Sequence, residues 1–465
     1  MKKIIKSKIF LVIITAIIVM SISIYAAIVY KATDFTYNVS NGSSKSVSDV
    51  LNELYDKMNT GGCATDVAIP TLGTGMIPVT ISDNGTVKYA DTNSKWYNYC
   101  DKKWANAVIL SSGSYSVGDT IPESSIQSYF VWIPRYRYKL WNVETSYSSD
   151  SSTFISKNVY SNVHSIEIEF ETKDTAPSTG SNNGEWLTHP AFTSFNSNGF
   201  WVGKFDTGYN GATSTSAAQV NANEPTKVII KPNVYSWRYI KINNIFLTSY
   251  NYKRDLDSHM MKNTEWGAVA YLSHSVFGIN YEVNTNNNSS FKTGYSALPS
   301  INLQTFLSSG RDYTGDGSSY NQPYNTEVGY LASTTGNITG VYDMSGGANE
   351  YVAGYYYDLS SASSSFEPSN YDSKYYDVYE TYGVGILGDA TTEMGPFTIY
   401  KDGDGWTRNH NSWYADQTYF VNSYSNYYTR GGHINDGGLA SQFSHSSSGG
   451  SNWNDIGFRI VLTPQ

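Results

Sequence analysis

The sequence predicts an α+β fold made mostly of short strands and long loops, preceded by a small β module and a transmembrane helix. Three observations predict it. From Tyr129 onward, strand-like runs such as YFVWIPRYRY, IEIEF, GFWVGKFD and KVIIKP alternate with loops rich in Ser, Gly and Asn. One clear amphipathic helix falls among them, HMMKNTEWGAVAYLSHSV. Residues 9–30 form an uncharged, largely apolar run of 22 residues, long enough to cross a hydrocarbon core as a helix.

Taken in order, residues 1–8 carry Lys2, Lys3, Lys6 and Lys8, whereas only Lys31 directly follows the apolar run. That asymmetry puts 1–8 in the cytoplasm, makes 9–30 a single-pass anchor in the cell membrane, and leaves the large remainder extracellular. The alternative is a cleaved signal segment and a secreted protein. Its small-x-small cleavage pattern is poor, because Ile24 stands two residues before Ala26 and Tyr25 two before Ala27. Residues 31–62 read as a stalk. Within it Val47, Val50, Leu51, Leu54, Tyr55 and Met58 share one helical face, with Ser46 and Asp49 as a capping-box-like start. A helix that short needs a packing partner.

Residues 63–118 read as the small β module. MIPVTISDNGTVKYA is a hairpin around Asp83-Asn84-Gly85, and KWYNYCDKKWANAVIL repeats the plan around Asp101-Lys102-Lys103. The chain's two cysteines, Cys63 and Cys100, are expected to pair outside the membrane. Residues 119–465 form the large loop-rich domain, with function expected on its loops.

Composition narrows the class. Charged residues are 15% of the chain and aromatics another 15%, with 41 tyrosines, which is not the make-up of a disordered chain. The mixture of Tyr, Ser, Gly and Asn is that of binding loops, and equally that of a Tyr-rich extracellular β protein. The net charge is −9 with no basic stripe, so nucleic acid is excluded as a partner. The seven histidines, at 164, 189, 259, 274, 410, 433 and 445, show no metal-ligand spacing.

The stretch GVYDMSGGANEYV places carboxylates at Asp343 and Glu350 around a flexible Ser345-Gly346-Gly347-Ala348 turn. Hard cations such as calcium take carboxylate and backbone oxygens together, although two incidental acids on a solvated loop read the same way. This stretch resembles the core motif of the formylglycine-generating-enzyme (sulfatase-modifying factor) family. In the family's order, FVWIPRYRY is similar to its opening strand, GFWVGKFDTG to its early strand, MMKNTEWGAVAYL to its Thr-Glu-x-Glu-Trp helix, and TRGGHIND…GFRIVL to its Arg-Gly-Gly and terminal strand. The resemblance covers 119–465 and implies a C-type-lectin-like fold. It also implies a structural calcium held by the side chains of Asp343 and Glu350 and the carbonyls of Gly346 and Ala348. Where relatives carry Asn, Val and Trp before the Glu, this chain has Gly347, Ala348 and Asn349.

The family's oxidases bind copper through two cysteines after the Gly-Gly. The matching positions here are Asp436 and Ser441, so no copper is expected, because a soft Cu(I) ion needs thiolates. The resemblance therefore implies the fold without the family's catalysis.

The expected function is ligand binding by an adhesin- or receptor-like surface domain, its partner an extracellular glycan or protein. The segment 433–455 lies where the family keeps its substrate groove. Its candidate contacts are His433, Asn435, Asp436, Ser441, Phe443, His445, Trp453 and Asn454, joined by Trp406, Trp413, Tyr414 and Tyr419. Aromatic faces among hydroxyl and amide groups suit glycans or peptide surfaces, or simply pack loops together. The triplet Trp453-Asn454-Asp455 is similar to one that binds calcium and sugar in true C-type lectins, but no Glu-Pro-Asn partner is nearby. Of the 23 residues 433–455, 17 are His, Asn, Asp, Gly or Ser, as adenine-directed changes in Asn codons would leave them. A receptor diversified by a retroelement is thus an alternative, alongside a structural surface subunit and an enzyme of undetermined chemistry.

Overall fold

The computed structural model describes residues 67–141, 143, 165–297, 321–360, 362, 366–393, 413 and 416–465, with the backbone of short strands at 36–38, 44–46, 145–147 and 154–156. The chain divides into two compact units, Met1–Ala64 and Thr65–Gln465. In the first, Thr36–Asn38 pairs antiparallel with Ser44–Ser46. The anchor expected over 9–30, the stalk helix expected from Val47 to Met58, and Cys63 lie outside the described residues. Among the described residues no helix is long and apolar enough to cross a membrane.

The second unit is a mixed α+β structure dominated by sheet. Its central strand, Ile126–Pro134, reads IQSYFVWIP and is buried on both faces except at Gln127. A continuous apolar run of that kind is what a strand covered on both sides requires. Around it lies an eight-stranded sheet in the order His259–Met260, Ile460–Leu462, Gly199–Gly203, Ile126–Pro134, Asn106–Leu110, Met76–Ile81, Val87–Tyr89, Thr120–Ile121, each pair antiparallel.

The hairpin expected around Asp83–Gly85 forms, with Gly85 at a φ of 86° that a two-strand turn demands. Residues 67–118 do not pack as a separate module, however. Their strands run straight into the sheet of the large domain, and the chain divides at 64/65 rather than at 118/119. Asn106–Leu110 pairs along its edge with Ile126–Pro134 and both strands feed the same hydrophobic cluster, so the sequence boundary falls inside one core.

A second sheet orders Asp377–Tyr379, Asn349–Tyr356, Tyr427–Arg430 and His445–Ser448, with Ile456–Phe458 pairing parallel to the start of Asn349–Tyr356. The strands Ile456–Phe458 and Ile460–Leu462 are consecutive yet belong to different sheets. Arg459, between them, therefore sits where the chain changes sheet.

Two eleven-residue helices pack into the unit, one wholly buried and one by a single face. The expected helix spans Asn263–Ser273, later and shorter than the sequence pattern, because His259–Met260 is a strand of the large sheet. Glu265 starts it, one carboxylate oxygen accepting from the Lys262 backbone N–H at 2.8 Å. All eleven residues are buried, so the helix is enclosed rather than amphipathic. A second helix, Ile242–Tyr252, was not evident in the sequence, whose INNIFLTSYNY is poor in strong helix formers.

Candidate functional site

The quoted sequence motifs converge on buried polar networks. Arg459 donates to both oxygens of Glu350 (3.0 and 2.5 Å), to Asp206 Oδ1 (3.1 Å), and to the carbonyls of Gly203 (2.7 Å) and Tyr342 (3.0 Å). Those partners come from GFWVGKFDTG and GVYDMSGGANEYV, and Arg459 itself from GFRIVL. Nearby, Arg430 of TRGGH donates to Asn263 Oδ1 (3.1 Å) and the Asp389 carbonyl (3.0 Å), and lies over the Trp266 ring of the NTEWG helix. Burial lowers the Arg459 pKa, but the Glu350 and Asp206 carboxylates more than offset this and hold it above its usual value. Burial, then the neighbouring Glu350 carboxylate, keeps Asp206 well above the carboxylate range.

Asp343, Gly346 and Gly347 all have positive φ (61°, 69° and 72°), so the turn curls its backbone tightly. The Asp343 carboxylate faces N–H donors: Gly294 N at 2.9 and 3.0 Å, Asn286 Nδ2 at 2.8 Å and Asp206 N at 3.3 Å. Glu350 is spent on Arg459. A calcium ion would have to displace a buried guanidinium from one expected ligand and four hydrogen bonds from the other. The set Asp343, Gly346, Ala348 and Glu350 therefore does not fit a calcium cage in this arrangement. Among the described residues no group of three or more His, Cys, Asp or Glu side chains is arranged to hold a metal ion. Cys100 is disulfide-bonded.

The expected ligand surface separates into an interior and an exterior part. Trp413 and Phe443 are fully buried and stack on each other at 3.9 Å and 8°, with Trp413 Nε1 donating to the Glu393 carbonyl at 2.9 Å. Ser441 and His445 are buried too, Ser441 Oγ accepting from the Phe443 N–H at 2.9 Å. These four are core, not ligand contacts. A loop-rich wall over a sheet must be filled by its own aromatic rings. Tyr419 is half-buried against the same strand, its N–H bonded to the His445 carbonyl. Trp406 and Tyr414 lie outside the described residues.

The exterior part is a small patch. Trp453 is 53% exposed, Asn435 and Asn454 are exposed, and His433 and Asp436 are half-buried beside them. His433 Nδ1 accepts from Asn435 N (3.1 Å), which leaves the ring proton on Nε2, directed at Asp436 Oδ1 (3.3 Å) and Asp455 Oδ2 (3.7 Å). The loop is pinned from beneath. Ile434 N donates to the Gly347 carbonyl (3.2 Å), Asn349 N to the Asp455 carbonyl (2.9 Å), and Tyr239 N to the Trp453 carbonyl (2.9 Å). Arg238 donates to the Asn454 carbonyl and stacks on Phe291 at 3.8 Å. Tyr239, itself 43% exposed, adds a second ring. Asp455 falls inside the expected segment 433–455, but sequence reading missed Tyr239 and Arg238 as members of this patch. They lie over two hundred residues upstream, with no local signal to join them to it.

Two buried titratable groups on either side of Gly388 give a pH signature. Burial pushes Glu393 up to about 7 despite hydrogen bonds from Tyr271 and the Gly388 N–H, and pushes His189 down to about 3. A carboxyl raised in the fold keeps a proton that the unfolded chain has lost. Its stabilisation is complete below pH 4.5 and is lost as the pH rises through about 7. His189 acts oppositely: its contribution is complete above pH 6.5 and falls away in acid. Glu393→Gln separates the two. Between about pH 5 and 7 the wild type should lose about 2 kcal/mol relative to this variant in urea unfolding. Parallel pH profiles for the two proteins would show that Glu393 is already ionised.

Neither protein-family models nor curated proteins match this chain.

Proposed function

We propose that the chain is a cell-surface ligand-binding protein. In this reading an N-terminal anchor over 9–30 holds a C-type-lectin-like domain of the formylglycine-generating-enzyme type outside the cell, and the domain binds a protein partner through the Trp453 patch. The family assignment is supported by the way four stretches, far apart in sequence, supply the bonds around Arg459 and Arg430. Binding without the family's oxidase chemistry is supported by Asp436 and Ser441, which stand where two thiolates would be needed. The observation that carries the reading is Trp453: a large ring held 53% exposed on a loop whose carbonyls are pinned from below. A rigid exposed aromatic ringed by polar groups is the make-up of an interface anchor.

The test is binding of a library of soluble extracellular proteins to intact cells displaying the full chain. A partner should bind wild-type cells, and Trp453→Ala should weaken it by at least about 2 kcal/mol, the size of an aromatic anchor's contribution. If the variant is displayed equally and binds equally, the binding face lies elsewhere. Conversion of a cysteine peptide to an aldehyde by the copper-treated protein would establish the enzyme reading instead.

A further inference from the structure

The hairpin from Trp96 to Trp104 carries two clefts that share a wall. Lys95, Trp96 and Tyr97 line both, one of about 540 Å³ and the other of about 420 Å³. Each lies within the roughly 300–1,000 Å³ of small-ligand sites. The hairpin is rigid: Asn98 and Lys103 exchange both backbone bonds at 2.8 Å, Lys102 takes a left-handed φ of 57°, and Cys100 is in a disulfide. The opposite wall, residues 337–339, is tied to it. Asn337 Nδ2 and Thr339 Oγ1 both donate to the Lys102 carbonyl, at 2.8 and 3.2 Å, and the Trp104 N–H donates to Thr339 Oγ1 at 3.0 Å. A third side is fixed by Tyr330, whose hydroxyl donates to the Asp83 carbonyl at 2.6 Å. The larger cleft is thus preformed, and a ligand would spend little of its binding energy on ordering it.

Its lining selects a chemistry. Trp96 and Tyr97 are half-buried, their rings 5.2 Å apart and nearly perpendicular, so two aromatic surfaces meet at a corner. Around them stand two acids, Asp83 and Asp101, and two bases, Lys95 and Lys103. The charges balance, which favours neither an anion nor a cation. They do offer both acceptors and donors to a neutral molecule with many hydroxyls. An extended peptide is disfavoured, because the strand Met76–Ile81 in the wall is paired on both sides and presents no edge for strand addition.

We propose that the Trp96–Tyr97 cleft binds a neutral oligosaccharide. The C–H face of a pyranose stacks on Trp96, and its hydroxyls bond to Asp101 and Lys103. This site is separate from the Trp453 patch and does not depend on the function assigned to that patch.

The test uses the full chain in micelles of a detergent without a sugar headgroup, titrated with maltohexaose, cellohexaose, chitohexaose and an anionic heparin hexasaccharide. Tryptophan fluorescence and calorimetry report binding. At least one neutral hexasaccharide should bind, and Trp96→Ala and Asp101→Asn should each weaken it at least about tenfold. Trp453→Ala should leave that affinity unchanged. Asp101→Asn keeps the ring and the shape of the cleft, so it decides the matter if Trp96→Ala proves poorly folded. The proposal is overturned if no neutral sugar binds up to about 10 mM. It is likewise overturned if only the anionic sugar binds, or if folded variants of the cleft bind as well as the wild type.

Discussion

Arg459→Met should cost the protein about 3–5 kcal/mol, as removal of one partner from a buried ion pair does. The whole stability of a domain is about 5–15 kcal/mol, so the variant should be at or near the edge of folding. The reason lies in what is left behind. Arg459 satisfies both oxygens of Glu350, one of Asp206 and two carbonyls, all in the interior. Methionine fills much of the volume and satisfies none of them. Asp206, already held above its usual range, can respond by keeping a proton, whereas Glu350 loses its bidentate partner. Lysine should rescue only in part, since a point charge cannot reproduce a planar fork with five donors. The double variant Glu350→Met with Arg459→Met should lose less than the two single losses combined, because it leaves no unpaired glutamate behind. Urea midpoints for the three proteins measure this. A single Arg459→Met variant within about 1 kcal/mol of wild type would mean that water reaches the network and the two sheets are not joined through it.

Much of this frame is written in the local sequence, and its limits are physical. The hairpin around Gly85 could be read because two alternating strands flank a turn that only a few residues permit. The buried strand Ile126–Pro134 could be read because it is apolar on both faces. The helix Ile242–Tyr252 was missed although Ile242, Ile245, Phe246, Ser249 and Tyr252 are buried at helical spacing. Its inward face is partly Ser and Thr, which blurs the hydrophobic pattern. The boundary at 118/119 misled because a strand's pattern shows that it has a buried face, not which strand it pairs with along its edge.

The site divides along the same line. Trp413 and Trp453 look alike in sequence, each flanked by Asn and other polar residues. One stacks on Phe443 in the core and the other stands in solvent. What separates them is the tertiary neighbour: Phe443, thirty residues from Trp413, stacks on its ring, whereas Trp453 is tied through its backbone carbonyl, which accepts from Tyr239 N (2.9 Å) and Ile456 N (3.5 Å). The carboxylates of Asp343 and Glu350 were likewise legible as a charged pair around a tight turn. Their partners, Gly294 and Arg459, come from elsewhere in the chain and turn a cation-like donor set into one occupied by nitrogen.

Gly267→Ala should be destabilising by about 3 kcal/mol or more, at the upper end of overpacking penalties, against the ordinary expectation for a helix. Within a helix, replacing glycine by alanine normally gains about 1 kcal/mol from backbone entropy. Here the added methyl would lie 2.0 Å from the Gly388 carbonyl oxygen and 2.7 Å from the Asp389 Cα. Both are backbone atoms, so no side chain can swing aside. The loop they belong to is held on every side. The Gly388 N–H donates to Glu393 at 2.7 Å, and its carbonyl is bonded to His189 Nε2 at 2.8 Å. The Asp389 carbonyl accepts from Arg430 at 3.0 Å, and its carboxylate accepts from the Tyr379 hydroxyl at 2.7 Å and the Ile386 N–H at 3.0 Å. To admit one methyl the loop must move by more than an ångström, roughly the gap between 2.0 Å and ordinary contact, and give up several of these bonds to buried groups. The disturbance should also reach Trp413, whose indole N–H is bonded to the carbonyl of Glu393 at the loop's end. Unfolding midpoint and tryptophan emission would therefore change together. An alanine variant as stable as the wild type, with unchanged emission, would show that the 386–393 loop yields freely and that the helix is not clamped against it.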